Sequence, residues 1–152
     1  MTPPRGAAPV GYVSDLAPVE AHAVLTLRRW CDGPAEQARV RAAFADALGV
    51  EGGQSAVQSF ETLCTLCVSH GRRPLMRHGV ACHCLGADEA CFAVFVGYAS
   101  DGAREDALLM ASMLVHPAFA PSLVGCAETF GLALRRMALK SCEPTPKATR
   151  LH

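Results

Sequence analysis

Five of the eight cysteines in this chain fall between Cys64 and Cys91, interleaved with His70, His78 and His83. Cys64-x-x-Cys67 and Cys82-His83-Cys84 make two close thiol pairs, with fourteen residues between Cys67 and Cys82. Zinc is held at tetrahedral corners by thiolate and imidazole, usually delivered as such pairs. On a helix, residues three apart share a face, so Cys64 and Cys67 point the same way. In an extended loop, Cys82 and Cys84 do too. The candidate metal set is therefore Cys64, Cys67, Cys82 and Cys84, with His78 as a variant ligand. Zinc is the cofactor that suits it, ahead of an iron–sulfur cluster on the same thiols. Two features pull the other way. The second pair is C-x-C, and the first shares an amphipathic face with Phe60, where a buried thiol packs as a small hydrophobe.

The same thiols admit a redox reading. Cys64 and Cys67 stand near the end of a helix, where the dipole raises a thiol pKa. Cys82 and Cys84 have Arg72, Arg73, Arg77 and histidines nearby in sequence to favour a thiolate. Arg72, Arg73 and Arg77 also form a candidate anion or partner patch, because guanidinium forks match carboxylate and phosphate. Paired with Asp88 or Glu89 instead, they would be structural. Motifs for a nucleophilic serine, a phosphate loop, a dinucleotide site and a helical zinc protease are all absent from the sequence, so catalysis has little motif support.

A scaffold has to position these groups, and the sequence writes it as helices. Leu16, Val19, Ala23, Leu27 and Trp30 repeat at helical spacing after Ser14 or Asp15, either of which can cap. Pro34 starts a second helix through Val40, Phe44 and Leu48, and Gly49 stops it. Ser55 with Gln58 reads as a capping box for a third, ending near His70-Gly71. Residues 71–86 have no sustained period and form a long loop that something must hold. A fourth helix begins near Ala87, with Asp88 and Glu89 in its first turn and the all-round apolar run Cys91–Val96 as its body; a strand is the alternative there. Arg104 leads a fifth helix that Pro117 closes, and Pro121 opens a sixth that carries Arg135, Arg136 and Lys140 in its last turn.

The expected fold is all-α: about six helices in one orthogonal or bundle-like domain over residues 14–140. A flexible arm (1–13) precedes it and a disordered tail (141–152) follows. The length of 152 residues suits one domain. A net charge of zero, from 14 basic and 14 acidic residues, argues against nucleic acid. The longest apolar run, near Ala90–Ala99, is about half the ~20 residues of a membrane span. The first ten residues lack the apolar stretch of a secretory signal, so thiols in a reducing, cytoplasmic setting are expected. With 51% hydrophobic and 18% charged residues, apolar surface is left over. The favoured functional reading is a non-catalytic helical interaction or regulatory module, with a protein partner or a homo-oligomer to cover that surface. The competing reading is a metal-binding or thiol redox-responsive protein built on the Cys64–Cys91 cluster.

Overall fold

Prolines and glycines set the helix boundaries. The structure, a computed structural model, describes residues 4–142. Pro18 stands in the first turn of α1 (Pro18–Trp30) and Pro34 in that of α2 (Pro34–His70), where the missing N–H of proline costs nothing. α1 begins a few residues after the expected cap, because Val13–Asp15 closes a 3-10 turn instead. α3 (Ala87–Ser100), α4 (Arg104–Leu114) and α5 (Ala120–Cys142) complete the helices. The apolar run Cys91–Val96 is helical, and Phe92, Ala93, Phe95 and Val96 in it are fully buried. The all-α expectation holds, with one small two-stranded sheet added.

The second and third expected helices form one run, α2, broken at Gly49. Its φ of +82° and ψ of 166° lie in a region essentially open only to glycine. The two limbs fold back on each other. Arg41 on the first reaches Glu61 on the second at 2.7 Å, and Gly53 sits against the backbone of Phe44 and Ala45. Helical structure resumes at Val50, so Ser55 and Gln58 lie inside a helix and do not cap one.

α5 crosses α2, α3, α4 and α1, and the core gathers around it. Phe130 meets Phe60 and Phe44 at ring centroids 4.7 and 6.2 Å apart, and Trp30 lies edge-on to Phe60. Among the described residues one helical stretch, Pro117–Ser141, is long and apolar enough to cross a membrane, and 44% of its apolar window is buried within the fold.

The expected flexible arm carries a strand, a difference from the sequence reading. β1 (Pro9–Tyr12) pairs antiparallel with β2 (Cys84–Gly86), with Pro9 opposite Gly86 and Tyr12 opposite Cys84. Val13 N–H donates to His83 O, and Ala87 N–H to Ala8 O, extending the clasp at both ends. The other end of the 71–86 loop is tied to α4: Gly71 bridges Val115, and Arg72 N–H donates to Leu114 O. Residues 1–3 of the expected arm and 143–152 of the expected tail lie outside the described residues.

Candidate functional site

The loop is held by charge. Arg28, on α1, is entirely buried. It stands one turn after Val24, so a guanidinium occupies the stripe that otherwise faces the core. Its Nε and one Nη donate to Glu89 at 2.6 and 2.9 Å, and its two Nη groups donate to the carbonyls of Cys82 and Cys84 at 2.7 Å each. Glu89, equally buried on the first turn of α3, also accepts from the N–H groups of Gly86 at 3.0 Å and His78 at 3.3 Å. Burial alone would raise the Glu89 pKa; Arg28 and the two N–H groups reverse this and hold it below the ordinary carboxylate range. The Glu89 carboxylate holds Arg28 above its own ordinary range. Among the described residues no buried side-chain nitrogen or oxygen lacks a partner.

Asp88 is the second anchor. It takes two N–H groups of Arg73 and, at 2.7 Å, the N–H of Met76. Gly6 is packed against this pair; a Cβ there would lie 2.0 Å from Asp88 Oδ2. Arg77 reaches Asp32 Oδ1 and Cys31 O, both at 3.1 Å, and Arg72 Nε donates to Ser112 O at 2.6 Å. The three arginines of the candidate patch are therefore fasteners from the loop to α3, to α4 and to the turn between α1 and α2. Arg73 and Arg77 meet carboxylates, and Arg72 meets a carbonyl.

Beneath these fasteners lies a cavity of about 420 Å³. Leu27, Leu63, Leu75 and Phe92 contribute its apolar lining, Cys64 and Cys67 its α2 wall, and Arg72, Arg73 and Arg77 belong to its loop wall. Burial pushes Cys67 up to about 11 and Cys64 higher still, with the neighbouring thiols adding to the rise at Cys64. These two thiols stay protonated and act as polarizable wall, the small-hydrophobe role of buried cysteine.

His78, Cys82 and His83 sit in the turn before β2. His78 Nε2 lies 2.8 Å from Ala7 O, and its Nδ1 lies 3.5 Å from Cys82 Sγ. This contact lowers the Cys82 thiol pKa and raises that of His78. Cys84 lies in β2 and is half-buried, and His83 is exposed. His70 stacks on Phe119 at 3.6 Å between ring centroids.

The five-residue metal set is not one site. Among the described residues no three His, Cys, Asp or Glu side chains gather as metal ligands. The physical reason is that Cys64 and Cys67 face the cavity, whereas Cys82 is turned onto His78 and the Cys82–Cys84 backbone is drawn down to Arg28. What sequence spacing offered to metal, the fold uses otherwise: an ion pair holds the loop. Sequence reasoning missed Arg28 and the Ala7 carbonyl. Arg28 left a readable trace as a charge inside an apolar helical stripe; a backbone carbonyl leaves none. No protein family, curated protein or solved structure matches the chain.

Proposed function

We propose that this chain is a non-catalytic regulatory module that receives one apolar side chain of a protein partner in the cavity between α1, α2, α3 and residues 71–77. The observation that supports it is the make-up of that cavity. Its volume of about 420 Å³ falls within the roughly 300–1,000 Å³ typical of ligand sites. Its lining of leucine, phenylalanine and neutral thiol suits an aromatic anchor, and large aromatic side chains are enriched among the residues that carry binding energy. Arg72 adds a charge that no carboxylate among the described residues neutralises, so acidic residues flanking the anchor are favoured.

The test is isothermal titration with three short peptides. One carries a single Phe between glutamates, one has that Phe replaced by Ala, and one has lysines as flanks. The Glu-flanked Phe peptide binds, the Ala peptide loses about tenfold or more, and the Lys-flanked peptide falls in between. Cys67→Phe, which fills the cavity, removes the difference. Equal binding of the Phe and Ala peptides, or binding untouched by Cys67→Phe, sinks the proposal.

Self-association is the second reading. Leu109 and Met113, one turn apart on α4, are 69% and 61% exposed, and a second copy of the chain would cover them. Light scattering behind size exclusion, with Leu109→Glu as the control, decides it. The seven unpaired cysteines among the described residues support a reducing, cytoplasmic setting.

A further inference from the structure

The turn that ends in β2 carries chemistry that the cavity does not use. A carbonyl oxygen can only accept a hydrogen bond, so the His78 nitrogen facing Ala7 O, Nε2, bears the hydrogen. In the neutral ring, Nδ1 is then a lone pair, and it faces the Cys82 sulfur at 3.5 Å. Carbonyl, imidazole and thiol stand in the order of orienter, base and nucleophile. When the proton crosses, both ring N–H groups still have partners: the thiolate on one side and Ala7 O on the other.

The surroundings favour that transfer. Glu89 of α3 accepts from the His78 backbone N–H and supplies negative charge near the imidazolium. Arg28 of α1 donates to the carbonyls of Cys82 and Cys84, pinning the turn on both sides of His83. Cys84 of β2, two residues on, acts with His78 to lower the Cys82 thiol pKa. Elsewhere the balance runs against ionisation, since burial raises the pKa of Cys31, Cys64, Cys67, Cys91 and Cys126. A thiolate beside an imidazolium in a half-exposed turn is the setting of reactive cysteine.

We propose that Cys82 is a peroxide-reactive thiol, with His78 as its base and Cys84 as its resolving thiol. Cys82 passes its proton to His78 Nδ1, and the thiolate attacks one oxygen of hydrogen peroxide. The S–O bond forms as the O–O bond breaks; sulfur loses two electrons and the peroxide gains them. The departing hydroxide takes the proton back from His78 and leaves as water, so Cys82 becomes a sulfenic acid. The Cys84 thiol then attacks that sulfur. The S–S bond forms as the S–O bond breaks, and a second water leaves. One peroxide has oxidised two thiols. Because Arg28 holds both cysteines by their carbonyls, the disulfide forms within the segment that fastens the loop, and this gives the turn a redox-sensitive state.

The experiment treats the full chain with substoichiometric hydrogen peroxide at neutral pH and maps the products by peptide mass spectrometry. A disulfide joining Cys82 to Cys84 is expected in the native chain, and a dimedone adduct on Cys82 in Cys84→Ser. In His78→Gln, whose amide can still donate to Ala7 O, the rate at Cys82 falls about tenfold at neutral pH and recovers above about pH 9, where hydroxide ionises an ordinary thiol. A pH profile of Cys82 alkylation by iodoacetamide in the unsubstituted chain needs no variant and should run to lower pH than that of a free cysteine. Equal labelling of Cys82 and Cys126, an unchanged rate and profile in His78→Gln, or an ordinary alkylation profile would each overturn the assignment. Dimedone trapping on Cys82 of the native chain with no disulfide would overturn the role of Cys84.

Discussion

A single buried arginine joins α1, the head of α3 and the end of the loop between α2 and α3. Arg28 has no exposed surface, and four of its N–H bonds reach Glu89 and two loop carbonyls. Arg28→Met removes the donor and leaves the Glu89 carboxylate buried without its counter-ion. Breaking a buried pair from one side costs about 3–5 kcal/mol, so urea unfolding at neutral pH should show a loss of that order. Replacing both partners, Arg28→Met with Glu89→Met, should restore part of it but not all, because the carbonyls of Cys82 and Cys84 remain without their donor. The pH dependence carries a sign. The folded pKa of Glu89 lies below its unfolded value, so its contribution is present above about pH 4.3 and fades as pH falls through the folded value. In Arg28→Met burial acts unopposed by the guanidinium, so acid should destabilise that variant less than it does the native chain. A stability loss below about 1 kcal/mol, the worth of an exposed pair, would refute the central role given to Arg28. The sequence read the acids at the head of α3 both as dipole partners and as carboxylates for the loop arginines, and Arg73 on Asp88 meets the second reading. It did not show that Glu89 pairs with Arg28 of α1 and that both acids also accept backbone N–H groups around the loop.

At the scale of elements, the glycines near the middle of α2 fold one helical run into two limbs. Gly49 supplies the positive φ, and Gly53 supplies the close approach, because a Cβ on Gly53 would lie 2.6 Å from the nitrogen of Ala45. Sequence alone read Gly49 as a stop, which it is, and began the next helix only at Ser55, although Gly52 and Gly53 already lie inside the second limb. Glycine marks a turn and a tight crossing with the same letter, and only the packing of the limbs tells them apart. The capping box at Ser55 failed for the same reason: the limb begins earlier than its local signal. Gly49→Ala should cost about 1–3 kcal/mol through backbone strain. Gly53→Ala should destabilise by parting the limbs and stretching the Arg41–Glu61 contact. The double variant should lose less than the sum, since limbs already parted no longer resist the second change. Melting temperatures of the three variants settle this, and strict additivity would mean that the two glycines act independently.

For the whole molecule, the open question is what closes the helical bundle over its long loop. The helices were legible because periodicity and caps are local signals, and α1, α3, α4 and α5 begin near where those signals place them. The closure was not legible, because a strand of four residues gains its stability from a partner far along the chain. Pro9 and Gly11 read as an unstructured arm, yet β1 tolerates them at an edge and at an irregular register step. Three contacts link this segment to the loop and α3: the ladder to β2, Gly6 seated on Asp88, and Ala7 O on His78 Nε2. If they act together, one side chain in the wrong place should release all three. Gly6→Val puts carbon where Asp88 Oδ2 and Arg73 Nη1 now lie. Hydrogen exchange should then quicken at amides 76–87 while the amides of α5 stay protected, and far-UV circular dichroism should keep its helical shape. Melting should fall by about 2–4 °C for each kcal/mol lost, and Cys82 should lose part of its reactivity with the Ala7 acceptor gone. Exchange that quickens evenly in loop and core would mean that the segment supports the whole fold. No change anywhere would mean that the loop is held without this segment, through Arg28, Asp88 and the arginine contacts to α4 and the α1–α2 turn.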